Sequence, residues 1–319
     1  MKFEAGLETI KTENAERIDA YPTRLPREED ISKRRDPVLW SEWTDAAPIS
    51  EAEAQHYNDK GYLVRHDVFT PEELELLVST AAKLRDTPAQ ERPADFVTEP
   101  EGDEIRTVFR LDEHSPIFAR LAADSRLAGV AQFLLNDKVY LHQSRLNYKP
   151  GFKGKEFYWH SDFETWHAED GLPRMRAVSA SVLLTDNSRL NGPLLLIPGS
   201  QGEFIACLGE TPEDNHEQSL KAQTVGVPQP DTIRRFASHY GLDAATGPAG
   251  TVVFFDCNTL HGSNGNITPD PRSNAFFVFN AVTNRPVGPF AAKAPRPKWL
   301  ANRDRIAPIS VVDGPIAGH

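Results

Sequence analysis

Apolar positions recur at two spacings along this chain, and the change between them divides it. In the first half they fall three and four apart, the period of one helix face. Ser50 precedes Glu51-Ala52-Glu53, and Thr70 precedes Pro71-Glu72-Glu73. Each pairs a hydroxyl cap with Glu three residues on, which predicts two helix starts. Leu74, Leu77, Val78, Ala81 and Leu84 form the apolar stripe of the second. Ser115-Pro116 predicts a third helix, and residues 127–135 a fourth. Between the first two, Gly61 to Arg65 reads as a short strand. Residues 88–104 are rich in proline and acid and are expected to form a mobile loop.

Beyond residue 139 the period shortens to strand spacing. Candidate strands are Val139–Tyr148, Phe157–Asp162, Ala177–Leu184, Pro193–Ile197, Thr251–Phe255 and Asn274–Val282. The first places Gln143, Arg145 and Asn147 on one face. A long polar segment with helix-like stretches, residues 199–250, separates the third and fourth of the later strands. Many short strands joined by polar loops suit a jelly roll. The expected architecture is mainly β with surrounding helices, a cupin-like double-stranded β-helix. Residues 1–36 read as a polar arm with little to bury, 37–298 as one domain, and 299–319 as a tail.

Composition narrows the partners. With 39% hydrophobic residues and 17 Phe, the 319 residues can fill a sizeable core. The net charge of -11 argues against nucleic acid or an anionic membrane. No apolar run reaches membrane-spanning length, and no apolar leader precedes the first helix, so a cytoplasmic protein is expected. Cys207 and Cys257 fit no zinc spacing and read as free, buried thiols.

The chemistry concentrates in Trp159-His160-Ser161-Asp162. Two residues apart on a strand means one shared face, so His160 and Asp162 supply an imidazole and a carboxylate together. These are two thirds of the 2-His-1-carboxylate triad that binds non-haem Fe(II) with positions left open. His261 follows another apolar strand and supplies the third ligand. Arg272, eleven residues later, offers a planar fork to the far carboxylate of a 2-oxo acid co-substrate. An H-x-D alone equally describes a surface ion pair, and Arg272 alone a strand-edge arginine. Their order along the chain favours the oxygenase reading.

That order resembles the phytanoyl-CoA-hydroxylase-like superfamily of Fe(II)/2-oxoglutarate dioxygenases. Within it, the block from Phe157 to Thr185, containing FYWHSDFETWHAEDGLPRMRAVSASVLLT, resembles the ectoine hydroxylases. Leu172 departs from the pattern, where many members have Met. The similarity runs from about Tyr21 to Lys298. It implies that His160, Asp162 and His261 bind Fe(II), that Arg272, Asn147 and Ser263 contact 2-oxoglutarate, and that O2 is consumed. It implies that ectoine is hydroxylated to 5-hydroxyectoine with release of succinate and CO2, by a homodimer.

Ectoine carries a carboxylate and a delocalised amidinium. Gln143 and Arg145 suit the carboxylate, Trp166, Phe109 and Phe255 the cation, and Pro212 a loop above them. Ordinary alternatives stand beside these roles: Trp166 and Phe255 as core, Phe109 as a plain strand residue, Gln143 and Arg145 as a solvated face. Glu164, Glu169 and Asp170 read as structural carboxylates paired with Arg174 or Arg176. Another small zwitterion such as proline, or a non-catalytic metal-binding barrel, are the competing functions.

Overall fold

The computed structural model describes residues 19–99, 102–220 and 223–316. Its thirteen strands are β1 (Asp30–Lys33), β2 (Tyr62–Arg65), β3 (Phe96–Thr98), β4 (Ile105–Phe109), β5 (Val139–Lys149), β6 (Phe157–His160), β7 (Ala177–Leu183), β8 (Leu194–Leu196), β9 (Glu203–Ala206), β10 (Asp243–Ala245), β11 (Val252–Asp256), β12 (His261–Ser263) and β13 (Arg272–Ala281). They form a major sheet ordered β2-β11-β7-β13-β5-β4-β3 and a minor sheet ordered β10-β8-β12-β6, with β1 and β9 paired apart. Every strand pairing is antiparallel. The two sheets face each other as a double-stranded β-helix.

The central strands are apolar on both faces because both are covered. On β11, Val253 and Phe255 join Leu183, Leu194, Leu196 and Phe276 between the sheets. Val252 and Phe254 point the other way, into a larger core with Leu77, Phe118, Leu121 and Leu134 of the helical layer. Both capping boxes form, at Ser50 for Glu51–Lys60 and at Thr70 for Pro71–Arg85. Ser115 caps Pro116–Ala122, and a widened turn at Ser125–Gly129 leads into Val130–Leu135.

Four expectations change. Val78 is exposed, and Glu73 takes an inward position instead. Arg126 grips its carboxylate through two bonds of 2.8 and 2.9 Å, and the Ile316 amide donates to it. The region of residues 88–104 holds β3, which pairs with β4 as a hairpin rather than remaining a loop. Within the long polar segment, β9 was not foreseen. The fourth concerns the N-terminal arm. Residues 1–18 lie outside the described residues, but from Asp19 onward the chain is docked. Tyr21 is 1% exposed, β1 pairs with β9, and Arg34 ion-pairs with buried Asp256 at 2.6 Å.

The C-terminal segment hugs the body as well, with Leu300, Ala301 and Ile316 buried. Cys207 and Cys257 are free and buried. No helix among the described residues is long and apolar enough to cross a membrane.

Candidate metal centre and its cavity

His160 ends β6 and stands directly opposite His261, the first residue of β12. Cross-strand partners share a face, so the two imidazole rings meet with centroids 4.2 Å apart. Asp162 arrives differently from the sequence expectation. The strand ends at His160, and Ser161 caps a single helical turn, Asp162–Thr165. That turn, not a strand's alternation, brings the carboxylate back beside the histidines. Asp162 Oδ1 lies 3.7 Å from His160 Nε2, and Oδ2 lies 3.9 Å from His261 Nε2. Ser179 of β7 reaches the same carboxylate at 3.4 Å.

The donor set fits Fe(II). His160 Nδ1 is bonded to the Tyr158 carbonyl at 2.8 Å and His261 Nδ1 to the Thr259 carbonyl at 2.9 Å. A carbonyl accepts, so each Nδ1 carries the proton and each Nε2 offers its lone pair toward the carboxylate. Burial first, then the neighbouring His160, push the His261 imidazolium pKa down to about 4, against the pull of Asp162. Burial pushes the Asp162 carboxyl up, but His261, His160 and Arg145 overcome it and hold the group well below the usual carboxylate range. Neutral imidazoles and a charged carboxylate are the forms that bind a divalent metal. The three ligand atoms lie within 4.8 Å of one another, the single such grouping among the described residues.

The triad faces a cavity between the sheets. Gln143, Arg145, Asn147 and Lys149 alternate along β5 and all line it. At about 3.4 Å per residue this row spans roughly 20 Å. Opposite them on β13 stand Val278, Phe276, Asn274 and Arg272 in the same order. Arg272, Lys149 and Ser263 therefore mark one end of the cavity, and Gln143 the other. At the Gln143 end its amide donates to the Leu300 carbonyl at 2.7 Å. Arg145 donates to Gln143 Oε1, and its guanidinium lies over the Phe276 ring, 4.9 Å from the centroid. Burial lowers the Arg145 pKa, with Asp162 opposing that shift. Trp166 and Phe109 complete the walls, and Arg296 and Leu300 line this end as well.

Two sequence-based assignments are placed elsewhere. Phe255 does not line the cavity. It is fully buried behind His261, ring centroids 4.9 Å apart, and Phe276 presents the ring to the cavity instead. Pro212 lines an adjoining pocket beside Asn215 and His216, not the cavity of the triad. The carboxylates also pair differently from expectation. Arg24 bonds Glu164 at 2.8 Å and Glu169 at 3.0 Å, and Arg296 bonds Asp170. Arg174 goes to Asp36 and Arg176 to Asp137.

Lys149, Arg296 and Leu300 are cavity residues that the sequence reading did not single out, and Glu169, read there as a structural carboxylate, lines the cavity as well. Lys149 was findable, because it continues the two-residue row after Asn147. Arg296 gave no signal, since its partner Asp170 is 126 positions away.

With this geometry established, the likenesses to known proteins acquire meaning. The sequence model of the family described as phytanoyl-CoA dioxygenase matches residues 57–274. An ectoine dioxygenase of Sphingopyxis alaskensis is 53% identical over 298 residues, covering 93% of this chain and 97% of that protein. The chain belongs to the ectoine dioxygenase branch of the phytanoyl-CoA dioxygenase family. Two crystal structures of the S. alaskensis protein EctD extend the match to three dimensions. The form with 2-oxoglutarate and 5-hydroxyectoine superposes with a TM-score of 0.87 at 50% identity, covering 94% of this chain and all of that one. The form with bound Fe gives 0.85 over the same shares. The His160–Asp162–His261 grouping and the cavity thus sit on a fold whose relative has been seen holding Fe, and separately 2-oxoglutarate with 5-hydroxyectoine.

Proposed function

We propose that this protein is an Fe(II)- and 2-oxoglutarate-dependent dioxygenase that hydroxylates ectoine to 5-hydroxyectoine, releasing succinate and CO2. The observation that carries the reading is the meeting of two imidazoles and one carboxylate on the wall of a cavity with a buried arginine at one end. His160, Asp162 and His261 hold Fe(II), which supplies the oxygen-activating redox chemistry when 2-oxoglutarate and O2 are present.

The protein's own residues position the reactants. Arg272 presents its guanidinium fork to the distal carboxylate of 2-oxoglutarate. Asn147 and Ser263 stand on the same stretch of wall and donate to its oxygens. Gln143 and Arg145 address the ectoine carboxylate. Trp166 and Phe109 offer ring faces to the amidinium, and the Phe276 ring lies under the Arg145 guanidinium. Trp166 is 2% exposed and fixed edge-on to His142, so it shields this end from water and holds one orientation. Orientation of the ring carbon toward the metal is the protein's share of the chemistry.

The test is Fe(II)-loaded protein mixed with 2-oxoglutarate, ectoine and O2, read by mass spectrometry and a succinate assay. One oxygen atom gained by ectoine for each succinate formed is the expected result. Succinate without hydroxylated ectoine would reject the substrate and keep the oxygenase. Neither product would reject the metal site. Homodimeric assembly and a cytoplasmic setting belong to the same proposal on the strength of the family likeness, and sedimentation equilibrium checks the first.

A further inference from the structure

β11 ends at Asp256 and β12 begins at His261, so the turn of residues 256–260 delivers one metal-centre residue directly. Carbonyls of that turn serve two of the three. Thr259 O accepts from His261 Nδ1 at 2.9 Å, and Cys257 O accepts from the Phe163 amide, next to Asp162, at 2.8 Å. The first bond sets which way the imidazole faces. The second ties down the helical turn that presents the carboxylate. Where the 256–260 turn sits therefore decides where two of the three ligand atoms sit.

The turn is held by a dense set of bonds. Asp256 Oδ1 accepts from the Asn258 amide at 2.8 Å, and the Asp256 carbonyl accepts from the Thr259 amide at 3.0 Å. Asn258 Nδ2 donates to the Gln201 and Glu203 carbonyls at 3.0 and 2.9 Å, and Thr259 Oγ1 donates to the Gly61 carbonyl at 2.9 Å. At the base of the turn lies the Asp256 carboxylate, and its cation comes from the N-terminal arm. Arg34 Nη1 donates to Oδ1 at 2.6 Å and Nη2 to Oδ2 at 3.0 Å. The two side chains are 3% and 1% exposed, so water screens this grip little.

Arg34 is itself fixed. It follows β1, which pairs with β9, and its amide donates to the Gly202 carbonyl at 2.9 Å. Nε donates to the Asp36 carbonyl at 2.9 Å, and Nη2 also reaches the Pro37 and Met175 carbonyls at 2.8 and 2.9 Å. A planar fork with so many fixed partners holds a direction as well as a charge. Neither Arg34 nor Asp256 lines the cavity, so whatever Arg34 does for the centre passes through the turn.

We propose that Arg34 is a positioning residue for the metal centre: through Asp256 it fixes the 256–260 turn, and through that turn the His261 imidazole and the Asp162 carboxylate. This rests on the Fe(II) reading of the triad given above. Metal retention then depends on the N-terminal arm, which supplies none of the three ligands.

The experiment is titration of Co(II), whose visible bands report ligand geometry, into metal-free full-length protein. Arg34→Met should bind Co(II) roughly ten- to a hundredfold more weakly, with shifted bands, the loss expected when the support of a metal ligand is removed. That variant leaves Asp256 buried without its cation. Arg34→Met combined with Asp256→Leu removes both charges, so the fold is kept while the turn loses its grip. The double variant should show the same weakening, and it decides alone if the single variant does not fold. Arg126→Met strips the buried Glu73 of its cation in the helical layer, away from the cavity. It should lose stability but keep wild-type Co(II) affinity and bands. A double variant with wild-type affinity and bands overturns the proposal. An equal loss of affinity in Arg126→Met overturns it too, because the effect would then be one of stability alone. Wild-type protein that takes up no Co(II), or His160→Ala that takes it up as well as wild type, overturns the metal reading itself.

Discussion

The two ends of the cavity treat buried charge in opposite ways. Around Trp166 every carboxylate has its cation: Glu164 and Glu169 share Arg24, and Asp170 is held by Arg296 and His142. Glu169 also accepts from Asn215 at 2.9 Å. Around Arg272 two cations face each other across the β5–β13 pair, and the hydrogen-bond acceptors of Lys149 are neutral oxygens. Paired buried charges contribute little net stability but fix geometry, because losing one partner is expensive. Unpaired ones are costly until an anion arrives. One end is therefore set by its own ion pairs, while the other, on the proposed function, is completed by the co-substrate dianion.

Breaking the centre that both ends serve should have the largest effect. His160→Ala or Asp162→Ala should abolish retained iron and lower succinate formation by more than about a hundredfold, beyond what loss of a supporting contact costs. Metal analysis after gel filtration checks this, and near-wild-type iron in both variants would refute the triad.

Next comes the paired end. Arg24→Met leaves Glu164 and Glu169 buried without their shared cation and should cost about 3–5 kcal/mol. Urea denaturation measures it, and a loss below about 1 kcal/mol would mean that this end is not prepaid at all. The unpaired end should respond in binding rather than stability. Arg272→Met should raise the Michaelis constant for 2-oxoglutarate roughly ten- to a hundredfold, the size of a charged hydrogen bond, with the fold unharmed. An unchanged constant would remove Arg272 from the co-substrate site.

The smallest effect sharpens the contrast by pH. Burial pushes the Asp170 carboxyl up, but Arg296 and His142 outweigh it and bring its pKa to about 2. A folded pKa below the unfolded value of about 3.9 gives stability that is complete above that value and lost as pH falls through about 2. The contribution is about 2–3 kcal/mol. Arg296→Met should therefore be less stable than wild type by about that amount at pH 6, with the gap narrowing toward pH 3. A pH-independent gap would assign the loss to packing of the arginine stem instead.

Local signals made much of this legible. The capping boxes at Ser50 and Thr70 and the apolar runs of β7, β11 and β13 depend on neighbours in sequence, and they formed where expected. The grouping of His160, Asp162 and His261 was visible from spacing, although the reason offered was incomplete: Asp162 reaches the histidines from a helical turn rather than a strand. What stayed hidden depends on distant partners. Nothing near Arg24 or Arg296 announces Glu164, Glu169 or Asp170, and a polar composition made residues 1–36 read as a loosely held arm, although Arg24 and Arg34 within it pair with buried carboxylates. Val78 fitted a helical stripe but is exposed, while Glu73 is buried against Arg126. Phe255 fitted a wall but became the backing of His261, one face deeper.

Glu169 and Asp170 are adjacent, yet their cations come from opposite ends of the chain, at positions 24 and 296. During synthesis the first guanidinium emerges well before His160, Asp162 and His261, and the second emerges only after all three. A growing chain can thus carry His160, Asp162 and His261 outside the ribosome while Asp170 still lacks its arginine. Order of manufacture makes this wall of the cavity later to finish than the His160–Asp162–His261 grouping it serves.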